Sequence, residues 1–304
     1  MPCIVAFVIL GIMSLFSATH RALAKEAFDC VFRRVTFRPC NTGFQEKIKA
    51  GFTAKFATHA PWLARFINKR FELLAWVFMI ITLGSLFWAG HGVYNFYLYG
   101  SCNGLNDTGL CLLDPTGENN RVSPTESCER PLEQGAKELT LEGVDLSAFP
   151  RLERSGDDEV VFIGCVNCEY SRQVYNLVFD LATEQRANFT FAHYPIKSET
   201  TYITDLLVCA QQQNSNRIWA LIKRLFGNEP SVNASTTDVL AEAADLGYDF
   251  DQLAACMPDP ATASTSAELT TEIAKTNLYG TPIVFINGQA FVGPKPLRVY
   301  RNAF

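Results

Sequence analysis

Two cysteines separated by two residues, Cys165 and Cys168, follow a short apolar segment in the second half of the chain. The segment 159–163 is rich in β-branched and aromatic side chains, which is typical of a buried strand, and Gly164 ends it. Beyond the second cysteine, apolar residues recur at helical spacing: Val174, Leu177, Val178 and Leu181. The sequence therefore predicts that the cysteine pair lies where a strand turns into a helix.

A thiol at a helix N-terminus faces unpaired backbone N–H groups and the positive end of the helix dipole. Because both stabilise the thiolate, the pKa of Cys165 is predicted to fall below the free-thiol value of about 8.5. The two-residue spacer brings the thiols close enough to close a small disulfide ring. Cys165 is then predicted to be the exposed nucleophile, and Cys168 the more buried thiol that resolves a mixed disulfide.

Two other interpretations of the pair remain open at this point. Half of a zinc site would need a second pair of ligands at suitable spacing. The chain has no other C-x-x-C motif, and its histidines are His20, His59, His91 and His193. A purely structural disulfide is the second alternative. The strand–helix context favours redox chemistry over both.

A second motif, Tyr279-Gly280-Thr281-Pro282, stands far along the chain and precedes an apolar strand at 283–286. With these two motifs, residues from about 155 to 304 resemble the DsbA-like branch of the thioredoxin superfamily. Segment 189–196 is similar to the family's next strand and its closing aromatic–proline–aliphatic step. Segment 208–226 is similar to the helical domain that the family inserts into the fold.

The resemblance implies an α/β fold, thioredoxin-like, with a helical subdomain inserted at about 199–276. It implies that Pro282 is a cis proline lying against the redox pair, and that the backbone of Thr281 pairs with a bound client peptide. A trans turn proline is the alternative, since about 5–6% of X–Pro bonds are cis. The chain ends soon after Pro296, which leaves room for a short last helix.

The dipeptide between the cysteines, Val166-Asn167, departs from the family pattern, which often has proline or histidine there. These two positions tune thiolate stability and redox potential. The direction of electron flow (oxidation, reduction or isomerisation) therefore stays open. A dominant helix dipole would make the disulfide easily reduced and would favour work as an oxidase.

The resemblance implies a protein thiol–disulfide oxidoreductase that exchanges disulfides with extracytoplasmic client proteins and needs no cofactor of its own. Its cysteines would be reset by a membrane redox partner, either quinone-linked and DsbB-like or similar to vitamin K epoxide reductase. Two rival functions are a non-catalytic thioredoxin-like adaptor in a membrane complex and a dithiol domain that handles Cu(I). The lack of a nearby methionine or histidine cluster argues against copper.

Two apolar runs outside this domain predict membrane helices. The run 4–16 is free of charge, and with its neighbours it predicts a first transmembrane helix over residues 1–20. The run 73–98 is long enough to cross a bilayer with some tilt, and it predicts a second helix over residues 72–98. A cleaved signal peptide followed by one anchor is the alternative, but no basic residue precedes the first run.

Charge sets the predicted topology. The segment between the apolar runs carries eleven basic and four acidic residues, whereas the rest of the chain has a net charge of −12. The positive-inside rule places this basic loop, residues 21–71, in the cytoplasm and both termini outside. The protein is thus predicted to lie in the cell membrane as a two-pass protein, with its thioredoxin-like domain extracytoplasmic.

The basic loop shows an amphipathic pattern. Phe44, Ile48, Phe52 and Phe56 recur at a spacing of four, and lysines lie off that stripe. Basic amphipathic helices with aromatic side chains suit membrane lipid at the inner leaflet. A helical hairpin that packs on itself or on a partner protein is the alternative. Nucleic-acid binding is not expected, because the charge does not exceed what membrane topology requires.

Residues 99–154 are rich in glycine, asparagine, proline and acidic residues, and they predict an extracytoplasmic linker before the domain at 155–304. Leu139, Leu141 and Val144 are expected to supply an early strand or a docking edge for the domain.

The chain has ten cysteines, and seven of them, from Cys102 to Cys256, face the oxidising side on the predicted topology. Cys102 and Cys111 bracket a loop rich in glycine and asparagine and are expected to pair. The resemblance implies a second structural disulfide between Cys209 and Cys256 in the helical insertion. The other four cysteines keep open assignments: Cys128 pairs with a partner, pairs with Cys3 or stays free, and Cys30 and Cys40 are expected as free thiols. No metal site is expected.

Overall fold

The structure is a computed structural model that describes residues 61–107, 109–124, 138–196, 200–227 and 235–304, together with Lys25, Phe28, Asp29 and Phe32, which are helical. Backbone proximity divides the chain into two units, Met1–His91 and Gly92–Phe304, which are taken in turn. The predicted helix over 1–20 and most of the basic loop at 21–71 lie outside the described residues, as do Cys3, Cys30, Cys40 and Cys128.

The first unit is described mainly through helix α1. This helix spans Pro61–Tyr99, with non-helical φ and ψ of −116° and 18° at Arg70, and its end from Gly92 belongs to the second unit. Many of its large apolar side chains are exposed, among them Phe87 and Trp88. Within the part of the chain that the structure describes, no helix combines the length and apolar character needed to cross a membrane. The structure therefore does not show the predicted span at 72–98, which stays a prediction.

The second unit is built on a five-stranded mixed sheet. Its strands lie in the order β2-β4-β3-β6-β7, with β3 and β4 parallel and the other pairs antiparallel. A separate two-stranded sheet joins β1 and β5. The strands are β1 Ser123–Pro124, β2 Arg151–Leu152, β3 Glu159–Gly164, β4 Asn188–His193, β5 Gly280–Thr281, β6 Ile283–Ile286 and β7 Gln289–Val292.

Helices connect these strands. Helix α2, Glu169–Glu184, forms the crossover between the parallel strands β3 and β4, as a parallel pair requires. The chain between β4 and β5 holds the helices α3 Thr201–Asn214, α4 Ile218–Gly227, α5 Thr236–Asp245, α6 Phe250–Cys256 and α7 Pro260–Ala274. The final helix, α8, spans only Leu297–Arg301, which confirms the short last helix expected from the sequence.

Two apolar clusters cover the two faces of the sheet. Successive side chains of a strand point to opposite faces, so Val160 and Phe162 of β3 lie in one cluster and Val161 and Ile163 in the other. Because both faces of the sheet are covered, the sequence of β3 is a continuous run of apolar residues and does not alternate between apolar and polar residues. The sequence signal that identified this strand is thus a direct result of its central position.

The first cluster is strongly aromatic. The ring of Tyr175 on α2 stacks on that of Phe226 on α4 with centroids 4.1 Å apart, and it meets Phe162 of β3 edge-on at 5.3 Å. Such aromatic pairs stabilise a fold by about 0.5–1.5 kcal/mol beyond the area they bury. This packing joins the helical insertion to the strand and helix that flank the cysteine pair.

The second cluster includes part of the predicted linker. Leu139, Leu141 and Val144 are partly buried against it, together with the fully buried Ile273 of α7. Leu139, Leu141 and Val144 do not lie in a strand. The chain at 138–150 consists of turns and irregular segments, and β2 begins after it. The segment is therefore docked on the domain without adding an early strand, and the predicted domain boundaries themselves stay predictions.

Candidate active site

The cysteine pair lies in the turn that connects β3 to α2. Cys165 directly follows β3, and the backbone N–H of Cys168 donates to the carbonyl oxygen of Cys165 at 3.0 Å, which closes the turn. Helix α2 starts at Glu169, and Cys168 is its N-cap. The prediction that Cys165 stands at the helix N-terminus is therefore wrong. The dipeptide Val166-Asn167 forms a turn instead of the first helical turn, which moves the helix start to the second cysteine.

Ser171 holds both cysteines in place. Its backbone N–H donates to the sulfur of Cys168 at 3.4 Å, as an N-cap acceptor receives a bond from the first helical turn. Its hydroxyl accepts from the backbone N–H of Cys165 at 3.3 Å. No prediction from the sequence named this serine. The sequence signal that could have found it is its position: Ser171 lies three residues after Cys168, where the backbone N–H of a first helical turn bonds to the N-cap residue.

Both thiols are buried. Cys165 is 1% exposed and Cys168 is 2% exposed, so the prediction of an exposed Cys165 is wrong. Three groups hydrogen-bond to the thiol of Cys165: the backbones of Asn167 and Ile196 and the side chain of Thr200. The last two belong to the chain after β4, so this segment covers the first cysteine.

Burial also sets the acidity of the first cysteine. Loss of hydration raises the pKa of Cys165 above its ordinary value, and this outweighs the hydrogen bonds from Ile196, Asn167 and Thr200, which lower it. The nearby Cys168 raises the pKa further. The predicted depression of the Cys165 pKa is therefore wrong for this state of the protein. The reason is that burial, which the sequence does not reveal, outweighs the local backbone dipoles.

The raised pKa of Cys165 predicts how the alkylation of this cysteine depends on pH. In the reduced full-length protein, the midpoint of the Cys165 reaction with iodoacetamide should lie at higher pH than for the same cysteine in guanidinium-unfolded protein. Shielding lowers the rate at every pH, but only a changed pKa moves the midpoint. Peptide-resolved mass spectrometry separates Cys165 from the other thiols. A folded-state midpoint below that of the unfolded control would contradict the assignment.

The cis-proline loop lies against the second cysteine. The Thr281–Pro282 peptide bond is cis, as the resemblance implied. The thiol of Cys168 donates to the carbonyl oxygen of Thr281 at 3.4 Å, although the two residues are 113 positions apart in sequence. The structure thus brings together the two motifs that the sequence identified separately.

The dipeptide between the cysteines is fixed from the helical side. The carbonyl oxygen of Val166 accepts from the guanidinium of Arg172 at 3.2 Å, and the same nitrogen donates to the carbonyl oxygen of Leu225 at 3.0 Å. Val166 is buried and Asn167 is half-buried. Arg172 therefore connects the active-site turn to α4, a role that no sequence pattern indicated.

A further neighbour comes from the predicted linker. The hydroxyl of Ser123 lies 3.1 Å from the sulfur of Cys168. Ser123 belongs to β1, which pairs with β5 directly before the cis proline. No sequence signal marked this serine, because its position next to the site results from a pairing between segments far apart in the chain.

The remaining described cysteines form two disulfides. The structure joins Cys102 to Cys111 with a Cα–Cα distance of 5.2 Å, and Cys209 to Cys256 with a Cα–Cα distance of 6.0 Å. Among the described cysteines, Cys165 and Cys168 are the free thiols. In the described ranges no group of three or more His, Cys, Asp or Glu side chains lies close enough together to hold a metal ion.

Comparison with known proteins bears on the second unit. Residues 169–304 match the model of the DSBA-like thioredoxin domain, a match that begins directly after Cys168. No curated protein matches the chain. Among solved structures, a thioredoxin-like oxidoreductase from Silicibacter pomeroyi DSS-3 is 22% identical with a TM-score of 0.45, and the alignment covers 52% of this chain and 90% of that one.

Two other solved structures are each similar over about half of the chain. BdbD from Bacillus subtilis is 15% identical with a TM-score of 0.46, covering 55% of this chain and 94% of its own. The thiol-disulfide exchange protein alpha-DsbA2 from Wolbachia pipientis is 14% identical with a TM-score of 0.46, covering 51% and 85%. The match of residues 169–304 to the DSBA-like thioredoxin domain confirms the predicted thioredoxin-like α/β fold and the predicted enzyme class, a thiol–disulfide oxidoreductase.

Proposed function

We propose that the protein is a membrane-anchored thiol–disulfide oxidoreductase that acts on extracytoplasmic client proteins through Cys165, Val166, Asn167 and Cys168. One observation carries the proposal: the sulfur of Cys168 lies 3.4 Å from the carbonyl oxygen of Thr281, beside the cis Thr281–Pro282 bond. An extended client segment that pairs with Thr281 would therefore bring its own sulfur to the redox pair.

The proposed reaction, in the oxidising direction, starts from the Cys165–Cys168 disulfide. A client thiolate attacks the sulfur of Cys165, which forms a mixed disulfide and expels Cys168 as a thiolate. The N–H of Ser171, which already points at that sulfur, stabilises the leaving thiolate. A second client thiolate then attacks the client sulfur of the mixed disulfide and releases Cys165, so the client loses two electrons and two protons.

The domain is left with two thiols and needs an electron acceptor before the next turnover. A membrane redox partner, quinone-linked and DsbB-like or similar to vitamin K epoxide reductase, would accept the two electrons and restore the disulfide. In the reducing direction the same steps run backwards, with the partner as the electron donor. Which direction operates is decided by the redox potential of the pair against that of its partner.

Trapping tests the assigned roles. In a Cys168→Ala variant the resolving thiol is missing, so client proteins should stay attached to Cys165 through disulfides that dithiothreitol releases. The matched control, Cys165→Ala, should trap no clients. Trapping by Cys165→Ala alone would exchange the two roles, equal trapping by both variants would contradict the assignment of one role to each cysteine, and no adducts with either variant would overturn the proposed activity.

Anchoring in the cell membrane is part of the proposal. The uncharged runs at 4–16 and 73–98 support it, as do the exposed apolar side chains of α1, including Phe87 and Trp88. The basic loop between the runs supports a cytoplasmic position next to membrane lipid and an extracytoplasmic domain. The disulfides Cys102–Cys111 and Cys209–Cys256 support the same side, because such bonds persist in oxidising compartments.

Two measurements test this topology. The full-length protein should resist extraction from membranes by alkaline carbonate. Protease added from the extracytoplasmic side should reach the thioredoxin-like domain and leave the basic loop protected. Release by carbonate, or protection of the domain, would refute the anchoring or the orientation.

A second candidate function is a non-catalytic adaptor, which the burial of both thiols favours. An adaptor would use the thioredoxin-like fold as a docking surface, and its cellular role would survive Cys165→Ser. The oxidoreductase would lose its role in the same variant, so a complementation assay separates the two functions.

A further inference from the structure

The chain covers the edge of its own active site. Strand β1 pairs antiparallel with β5, with Ser123 opposite Thr281 and Pro124 opposite Gly280. This pair stands apart from the five-stranded sheet. The backbone of Thr281, which is next to the redox pair, is therefore already paired with a segment that comes from the predicted linker.

Ser123 occupies the place next to Cys168 that the cysteine of a client peptide could occupy. Its hydroxyl oxygen lies 3.1 Å from the sulfur of Cys168, which in turn lies 3.4 Å from the carbonyl oxygen of Thr281. Serine and cysteine differ only in the atom that the Cβ carries. A cysteine at this register on an extended peptide would therefore place its sulfur against that of Cys168, where serine places an oxygen that forms no disulfide.

The same segment covers Cys168, which is 2% exposed, whereas the chain around Ile196 and Thr200 covers Cys165. Thiol–disulfide exchange requires a third sulfur to approach the pair, and on the side of Cys168 this segment occupies that approach. We propose that residues 121–124, here named the strap, act as an internal stand-in for a client strand, and that a client must displace the strap before exchange begins. This inference rests on the proposed function and adds an autoinhibitory contact to it.

Close packing fits the strap to this edge. A Cβ on Gly280 would lie 2.7 Å from the carbonyl oxygen of Ser123 and 2.8 Å from a methyl group of Val122. A Cβ on Gly293 would lie 2.5 Å from the carbonyl oxygen of Arg121. The two glycines thus provide the space in which the strap backbone lies against the domain.

Side chains just before the strap hold it at one end. The amide of Asn119 donates to the carbonyl oxygen of Gly100 at 2.6 Å, and the ammonium group of Lys295 donates to the side-chain oxygen of Asn120. Burial lowers the pKa of Lys295 to about 8, partly offset by Asp114. These contacts lie away from the cysteines, so they can be weakened without touching the reacting atoms.

The pairing of the strap with β5 is short enough for a client strand to replace it. Its ladder with β5 is only two residues long, and Pro124 has no backbone N–H to donate. A client strand with a longer ladder and a free N–H at that position can replace it by β-augmentation. The strap therefore shields the thiols from unspecific reaction while leaving the site open to extended peptides.

A cross-link tests the position of the strap. In a Cys165→Ala background, Ser123→Cys should form a disulfide with Cys168 when oxidised glutathione accepts the two electrons and two protons that the two thiols lose. Ser147→Cys in the same background is the matched control, because Ser147 is exposed and forms no contact with Cys168 in the structure. Peptide mapping should find the cross-link at near-full yield in the first variant only. Yields no higher than in the control would overturn the inference.

A second variant tests displacement. Asn119→Ala removes the hydrogen bond to Gly100, which should raise the rate at which a bulky maleimide labels the reduced pair by about five-fold. Asn216→Ala, at an exposed position in the helical insertion, should leave the rate unchanged. Unchanged labelling in Asn119→Ala would show that the strap does not limit access.

These readouts do not depend on client turnover. If no client is ever trapped by Cys168→Ala, the proposed function fails, whereas the cross-link and the labelling rates still decide the position and mobility of the strap. If clients are trapped but neither strap variant behaves as expected, the strap inference fails and the proposed function stands.

Discussion

Lowering the pH from neutral to about 3 is expected to destabilise the thioredoxin-like domain by about 4 kcal/mol through one imidazole, that of His193. His193 ends β4 and is buried. Its Nδ1 lies 2.8 Å from the hydroxyl of Thr204, and its Nε2 has no hydrogen-bond partner among the described residues. A protonated ring would carry a buried N–H without an acceptor.

The sign follows from the two pKa values. Burial lowers the pKa of His193 from 6.5 to about 3 in the folded protein, whereas the unfolded chain keeps the ordinary value. Between these values the unfolded state binds the proton and the folded state does not, so acid favours unfolding. The stability contributed by the neutral ring is complete above about pH 6.5 and is lost as the pH falls through this window.

Chemical unfolding of the full-length protein, followed by near-UV circular dichroism at several pH values, measures this loss. His193→Gln should be less sensitive to acid than the wild type by about 4 kcal/mol between neutral pH and pH 3, because glutamine does not titrate. His91→Gln, at an exposed histidine of α1, is the matched control and should keep the wild-type slope. An unchanged acid slope in His193→Gln would show that His193 is protonated in the folded state.

Local patterns predicted the elements that carry the site. The apolar run before Cys165 became β3 because a strand covered on both faces needs apolar residues at successive positions. The periodic residues after Cys168 became α2 because helical spacing places them on one face of a helix. Glycine and proline at 280–282 marked a backbone feature that the structure shows as a cis bond.

Burial at the site could not be predicted in the same way. Cys165 is covered by the chain around Ile196 and Thr200, and Cys168 by Thr281 and Ser123. None of these neighbours lies close in sequence, and each reaches its place through the tertiary fold. The helix-dipole argument, which uses only neighbours in sequence, therefore gave the wrong direction for the pKa of Cys165.

The docking of the linker on the domain could not be predicted from the sequence either. The described parts of the predicted linker contain turns, which its composition indicated, yet composition says nothing about where such a segment docks. Ser123 reaches Cys168 across 45 positions of sequence because two residues of backbone pair with β5. A pairing this short leaves no periodic pattern from which it could be read.

Removal of the Cys209–Cys256 disulfide is expected to lower the free energy of unfolding by about 4 kcal/mol. The bond joins α3 to the end of α6 across a sequence separation of 47, and closing a loop of this length restricts the unfolded chain. The double variant Cys209→Ala, Cys256→Ala removes the bond without leaving a free thiol. Guanidinium unfolding of the full-length protein under oxidising conditions measures the loss.

The Cys102–Cys111 bond provides a graded comparison. Its sequence separation is only 9, so the corresponding double alanine variant should lose about 2.5 kcal/mol by the same loop-closure argument. The order of the two losses tests whether loop length determines the stabilisation. A smaller loss at Cys209–Cys256 than at Cys102–Cys111 would mean that local packing determines it instead. No loss at either site would mean that the oxidised protein does not form these bonds, which would also remove one support for an oxidising compartment.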